Sequence, residues 1–78
     1  MKKRSVRIRG HRTSLSLEAG FWEELARIAE LRGTSVARLI AEIDNSRNGG
    51  LSSAVRLFVL DTLKQEVAAY RTKASSLD

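Results

Sequence analysis

The segment Arg12-Thr-Ser-Leu-Ser-Leu17 constrains this chain more than any other, because it alternates like a strand in a sequence whose remaining patterns are helical. Alternation sends Thr13, Leu15 and Leu17 to one face and Arg12, Ser14 and Ser16 to the other. The first face suits a core and the second suits solvent or a ligand. A lone strand leaves its backbone N–H and C=O groups without partners. No second strand of matching length follows it, so the sequence predicts that the partner is a second copy of the chain. At 78 residues the chain forms one domain at most, and a core of that size is only marginally stable alone, which also favours a dimer.

Other means of stabilisation are scarce. The chain has no cysteine and a single histidine, His11, which argues against disulfides, thiolate metal sites and cofactor chemistry; no cofactor and no metal are expected. The opening Met-Lys-Lys-Arg-Ser-Val-Arg-Ile-Arg has no apolar run of the kind a signal peptide carries, and no segment reaches the length of a membrane span. The expectation is a cytoplasmic protein.

The net charge of +5 is unevenly distributed. Residues 1–12 contain Lys2, Lys3, Arg4, Arg7, Arg9 and Arg12 and no acid, whereas the remainder is nearly balanced. Such a block attracts polyanions, DNA and RNA being the commonest; the plainer reading is a solvated basic tail. Within it Val6 and Ile8 alternate with Arg7 and Arg9, but their even numbering conflicts with the odd numbering of Leu15 and Leu17. Gly10 between them implies a bulge, bend or hinge. Residues 1–10 therefore read as an extended, conditionally ordered basic arm.

Phe21, Leu25, Ile28 and Ala29 recur at helical spacing, with glutamates early, arginines late and Gly33 placed to end the helix. Trp22 lies beside this stripe and is expected to cover a third helix or a partner chain. Ser35, or Thr34, is positioned to cap a second helix with Val36, Leu39, Ile40 and Ile43 on its core face. Residues 44–50 read as a loop. Ser52 or Ser53 then caps a third helix ending near Tyr70, apolar on nearly all sides over its first two turns, which implies cover by the other subunit or a site for another protein. Residues 71–78 read as a fraying polar tail, which leaves 11–70 as the folded domain.

Catalysis fits this sequence poorly. Parity puts His11 on the face opposite Ser14 and Ser16, adjacent Glu23 and Glu24 do not face each other, and no glycine-rich phosphate loop follows a strand. DNA recognition fits better. A two-stranded antiparallel ribbon enters the major groove, where arginine pairs with guanine and serine hydroxyls adapt to several bases. The helix start at Thr34 and Ser35 offers backbone N–H groups and hydroxyls to a phosphate. In the bland alternative, Ser14 and Ser16 merely solvate a sheet and Ser35 only caps.

Leu15-x-Leu17, followed by Phe21, Leu25, Ile28 and the Gly33-Thr-Ser-Val36 turn, resembles the ribbon-helix-helix family of bacterial DNA-binding proteins, which includes Arc and MetJ. That likeness spans residues 11–44. Lys3–Glu18 together with Leu51–Asp61 is similar to a narrower bacterial subgroup of ribbon-helix-helix domain proteins. The resemblance implies a mainly α fold with one strand pairing with its dimer mate, plus an additional third helix. It implies a homodimer that reads double-stranded DNA bases through Arg12, Ser14 and Ser16 and holds the DNA backbone through Thr34, Ser35 and Val36. Lys2, Lys3, Arg4, Arg7 and Arg9 are expected to add backbone contacts. Departures from the family are the break at 45–50, the extra helix and the strongly basic arm. The expected role is transcriptional repression; an antitoxin, or an interaction dimer of the same fold that does not read DNA, are the alternatives.

Overall fold

The computed structural model describes residues 1–76, in the order β1 (Lys2–Ile8), β2 (His11–Leu17), α1 (Ala19–Arg32), α2 (Val36–Ser46) and α3 (Leu51–Ser76). The fold is mainly α, with an antiparallel ribbon leading into three helices. The ribbon corrects the first expectation: β2 finds a partner within its own chain, because residues 2–8 form a full strand rather than a loose arm. The register runs from Lys2 opposite Leu17 to Ile8 opposite His11.

Arg9 and Gly10 form the two-residue turn, with φ of 53° and 82°. Two successive positive φ values define the turn whose twist suits a hairpin. Gly10 adopts this conformation without a Cβ penalty, whereas Arg9 is held there in part by a hydrogen bond from its guanidinium to the Asn45 side chain. No bulge is required. Across a two-residue turn, an even position on β1 always faces an odd one on β2, so the change of parity marks the hairpin itself.

Beneath the ribbon, Ile8, Leu15 and Leu17 are buried with Leu25, Ile28, Leu39, Ile40, Val55 and Val59. α1 and α2 contribute the stripes expected of them. α1 ends at Gly33 in the left-handed region (φ 67°), and the amides of Gly33 and Thr34 donate to the carbonyls of Glu30 and Ala29 at 3.2 and 2.9 Å. Ser35 caps α2, its hydroxyl accepting from the Arg38 amide at 3.1 Å.

Further points differ from the sequence reading: α2 runs on to Ser46, so the loop expected over 44–50 is confined to 47–50. Trp22 finds its cover within the chain, under β1: it is buried, its Nε1 donates to the Lys2 carbonyl at 2.8 Å, and the Arg4 guanidinium lies 5.0 Å over its ring. α3 begins at Leu51, with the Ala54 amide donating to the Gly50 carbonyl, so neither Ser52 nor Ser53 is its cap. α3 also continues to Ser76, so residues 71–76 extend a helix instead of forming a tail; 77 and 78 lie outside the described residues.

Two ion pairs fasten α3. Arg27 on α1 makes paired hydrogen bonds to Glu66 at 2.8 and 3.0 Å, and Arg56 bonds Glu18 at 2.9 Å. These hydrogen bonds from arginine hold both carboxyls below the usual carboxylate range, and Arg27 is bound more firmly to its proton in return. Because each carboxyl is more acidic folded than unfolded, its contribution is complete above the ordinary carboxylate pKa and is lost as pH falls through the folded value. The urea midpoint should therefore drop between about pH 6 and pH 3, and Glu66→Gln should flatten that dependence. An unchanged slope in the variant would remove Glu66 from the account.

Candidate nucleic-acid interface

Cross-strand partners share a face, so the register alone assembles the outer surface of the ribbon. It carries three pairs: Lys3 with Ser16, Ser5 with Ser14, and Arg7 with Arg12. Five of these side chains are exposed and Ser16 is half-buried, while Leu15 and Leu17 between them are 2% and 0% exposed. Arg12, Ser14 and Ser16 therefore lie together on the side away from the core, as their parity predicts.

The basic residues of the arm do not act as one block. Lys3 and Arg7 join the outer face. Lys2 and Arg4 stand opposite Leu17 and Leu15 on the inner side, where Arg4 covers Trp22, and Arg9 sits in the turn bonded to Asn45. The outward grouping of Lys3, Ser5 and Arg7 with the β2 residues is not visible without the strand register.

Charge on this face is uncompensated among the described residues. Of the ten arginines in the chain, six hold an acid, an amide or an aromatic ring: Arg4, Arg9, Arg27, Arg32, Arg47 and Arg56. Arg7 and Arg12 have no such partner among the described residues, yet they stand directly opposite each other. Like charges at opposed positions of a strand pair oppose folding. An anion above the ribbon removes that penalty.

The edge of β2 is also unsatisfied. In a hairpin closed by two residues, the pair flanking the turn is hydrogen-bonded, and alternation then directs the N–H and C=O of Thr13, Leu15 and Leu17 toward β1. Those of Arg12, Ser14 and Ser16 point to the opposite edge, where no backbone or side-chain partner meets them among the described residues.

At the start of α2 the three residues differ in what they offer. The Thr34 amide is engaged by Ala29, and its hydroxyl oxygen is buried without a hydrogen-bond partner among the described residues. Ser35 is exposed and Val36 half-buried, and the first amides of a helix lack intrahelical acceptors. Arg38, one turn on, is exposed, and its guanidinium has no partner among the described residues.

His11 lies across from Ile8, on the side opposite Ser14 and Ser16. No group of His, Cys, Asp and Glu among the described residues could hold a metal ion, and no described helix is long and apolar enough to cross a membrane.

A basic two-stranded ribbon on a helical base is the architecture of β-ribbon DNA-binding domains. Residues 1–63 match the family model of the ribbon-helix-helix domain, and the chain belongs to that family. The match takes in β1 and the first half of α3 as well as the strand-helix-helix segment. No curated protein and no solved structure matches the chain.

Proposed function

We propose that this chain is a homodimeric, sequence-specific DNA-binding protein, a transcriptional repressor that sets its ribbon into the major groove of double-stranded DNA. The observation that carries this reading is the opposed Arg7–Arg12 pair, without an acidic partner among the described residues, beside Ser14 and Ser16 on the outer sheet face. Arg12, Ser14 and Ser16 read base edges; the α2 start, through Ser35 and Val36, meets a phosphate.

The dimer forms through the open edge of β2. Pairing about a twofold axis at Ser14 sets Ser14 against its counterpart and Arg12 against Ser16 of the mate, and every one of those residues directs its backbone groups toward that edge. The edge of β1 is unsuited, because its Lys2, Lys3, Arg4 and Arg7 would meet the same charges.

The test is selection from random DNA followed by a salt titration. A defined motif should emerge, with a log–log salt slope steeper than about −4. Replacing Arg12, Ser14 and Ser16 by alanine should lower affinity for the motif by roughly a hundredfold or more while residual salt-dependent binding persists. Specificity that survives the triple substitution would refute strand reading.

A second reading has one observation behind it. Leu60, Leu63, Val67 and Tyr70 form a stripe along α3 and are 47%, 36%, 48% and 74% exposed. A protein partner on that stripe is what an antitoxin or an interaction dimer would use. Enrichment of no motif in the selection would favour it.

A further inference from the structure

We propose that β1 is a wall strand: in the dimer it rides against the sugar-phosphate backbone at each side of the groove, dividing the work so that β2 reads bases and β1 supplies affinity. This rests on the DNA-reading dimer proposed above.

The argument begins with width. Joining two hairpins through β2 gives a four-stranded sheet in the order β1, β2, β2, β1. With strands ~4.8 Å apart, each β2 lies ~2.4 Å from the twofold axis and each β1 ~7 Å from it. The major groove is ~12 Å wide, so its walls stand ~6 Å from the same axis. The central strands fit over the base edges, and the outer strands fall at the phosphates.

The side chains match that division. β1 contributes Lys3, Ser5 and Arg7 to the outer face, two cations in three positions, whereas β2 contributes Arg12 and two serines. Phosphate contacts need charge without a fixed donor pattern; base contacts need a defined set of donors and acceptors. The Arg7–Arg12 opposition then has a purpose, since the two guanidinia diverge to different acceptors, one on the wall and one on the floor of the groove. Ser5 sits between the wall cations and donates to the same backbone.

The experiment compares Arg7 with Arg12 on the full chain, using the motif-bearing duplex and an unrelated duplex of equal length. Arg7→Ala should weaken binding to both duplexes alike, by roughly tenfold to a hundredfold at 0.1 M salt, and should reduce the salt slope by about 2 per dimer. The selected motif should not change. Arg7→Lys should restore affinity, because a phosphate accepts a point charge, whereas Arg12→Lys should alter the motif, because a bidentate base contact does not tolerate the exchange. Lys64→Ala, an exposed cation on α3, should leave the slope unchanged. A changed motif for Arg7→Ala would make β1 a base reader and overturn the proposal, as would unaltered affinity and slope. If the wild-type chain selects no motif, the DNA-reading proposal fails first; a wild-type motif with an inert Arg7 overturns the wall strand alone.

Discussion

Leu15→Ala should leave much of the protein unfolded at 25 °C, while Ser14→Ala, one residue earlier on the same strand, should change the urea midpoint very little. Leu15 is 2% exposed and packed in the single core; truncating a buried leucine costs about 2–5 kcal/mol, the transfer of its methyl groups compounded by the cavity left behind. A core in a chain of this length supplies only about 3–5 kcal/mol of net stability, so the loss is comparable with the whole. Ser14 faces outward and is exposed, and substitutions at such positions usually stay within about 0.5 kcal/mol. Both variants must be compared at one protein concentration, since the proposed dimerisation would add to the apparent stability of each. Equal effects at the two positions, or a larger one at Ser14, would mean that the ribbon presents its other face to the helices, and the proposed reading surface would disappear with it.

That parity was legible from Thr13, Leu15 and Leu17 alone, because an alternating strand beside apolar helices has only one sensible way to face. The C-terminal end of α1 was equally plain at Gly33, while the α2 cap was narrowed to Ser35 or Thr34 and the Ser35 hydroxyl takes it. The hairpin was not plain. Its usual signature is asparagine or aspartate before glycine, and here arginine occupies that position with φ of 53°. The shift from Val6 and Ile8 to Leu15 and Leu17 was visible, but it is compatible with either a bulge or a turn until pairing is known. Trp22 carried a similar ambiguity: its ring could have served any face, and only the Lys2 carbonyl, brought near by β1, fixes its N–H. The end of α3 has no apolar period to announce it because residues 71–73 are exposed. The candidate site was therefore half legible. Arg12, Ser14 and Ser16 follow from one strand's alternation, whereas Lys3, Ser5 and Arg7 join them only through a register that sequence spacing does not state.

The proposed dimer admits an all-or-none test, because the chain contains no cysteine and any disulfide formed must come from an introduced residue. Ser14→Cys should oxidise almost completely to a covalent dimer. At a twofold axis through Ser14 the two positions become a hydrogen-bonded antiparallel pair with Cα atoms about 5.5 Å apart, within the roughly 4.4–6.8 Å that a disulfide spans. Ser5→Cys should remain monomeric on the same non-reducing gel, since three strand spacings, about 14 Å, separate its two copies in the four-stranded sheet. The reverse pattern would mean that the chains pair through β1 despite its four cations. Failure of both to cross-link, with Val67→Cys cross-linking instead, would move the interface to the α3 stripe and leave each hairpin to approach DNA as a separate ribbon. In that event the ~7 Å offset of β1 from a shared axis no longer applies, and Arg7 would be as free to reach bases as Arg12. In the proposed DNA complex, the geometry of the pairing edge thus decides how many strands share the groove, and with it which of the two opposed arginines would carry sequence information.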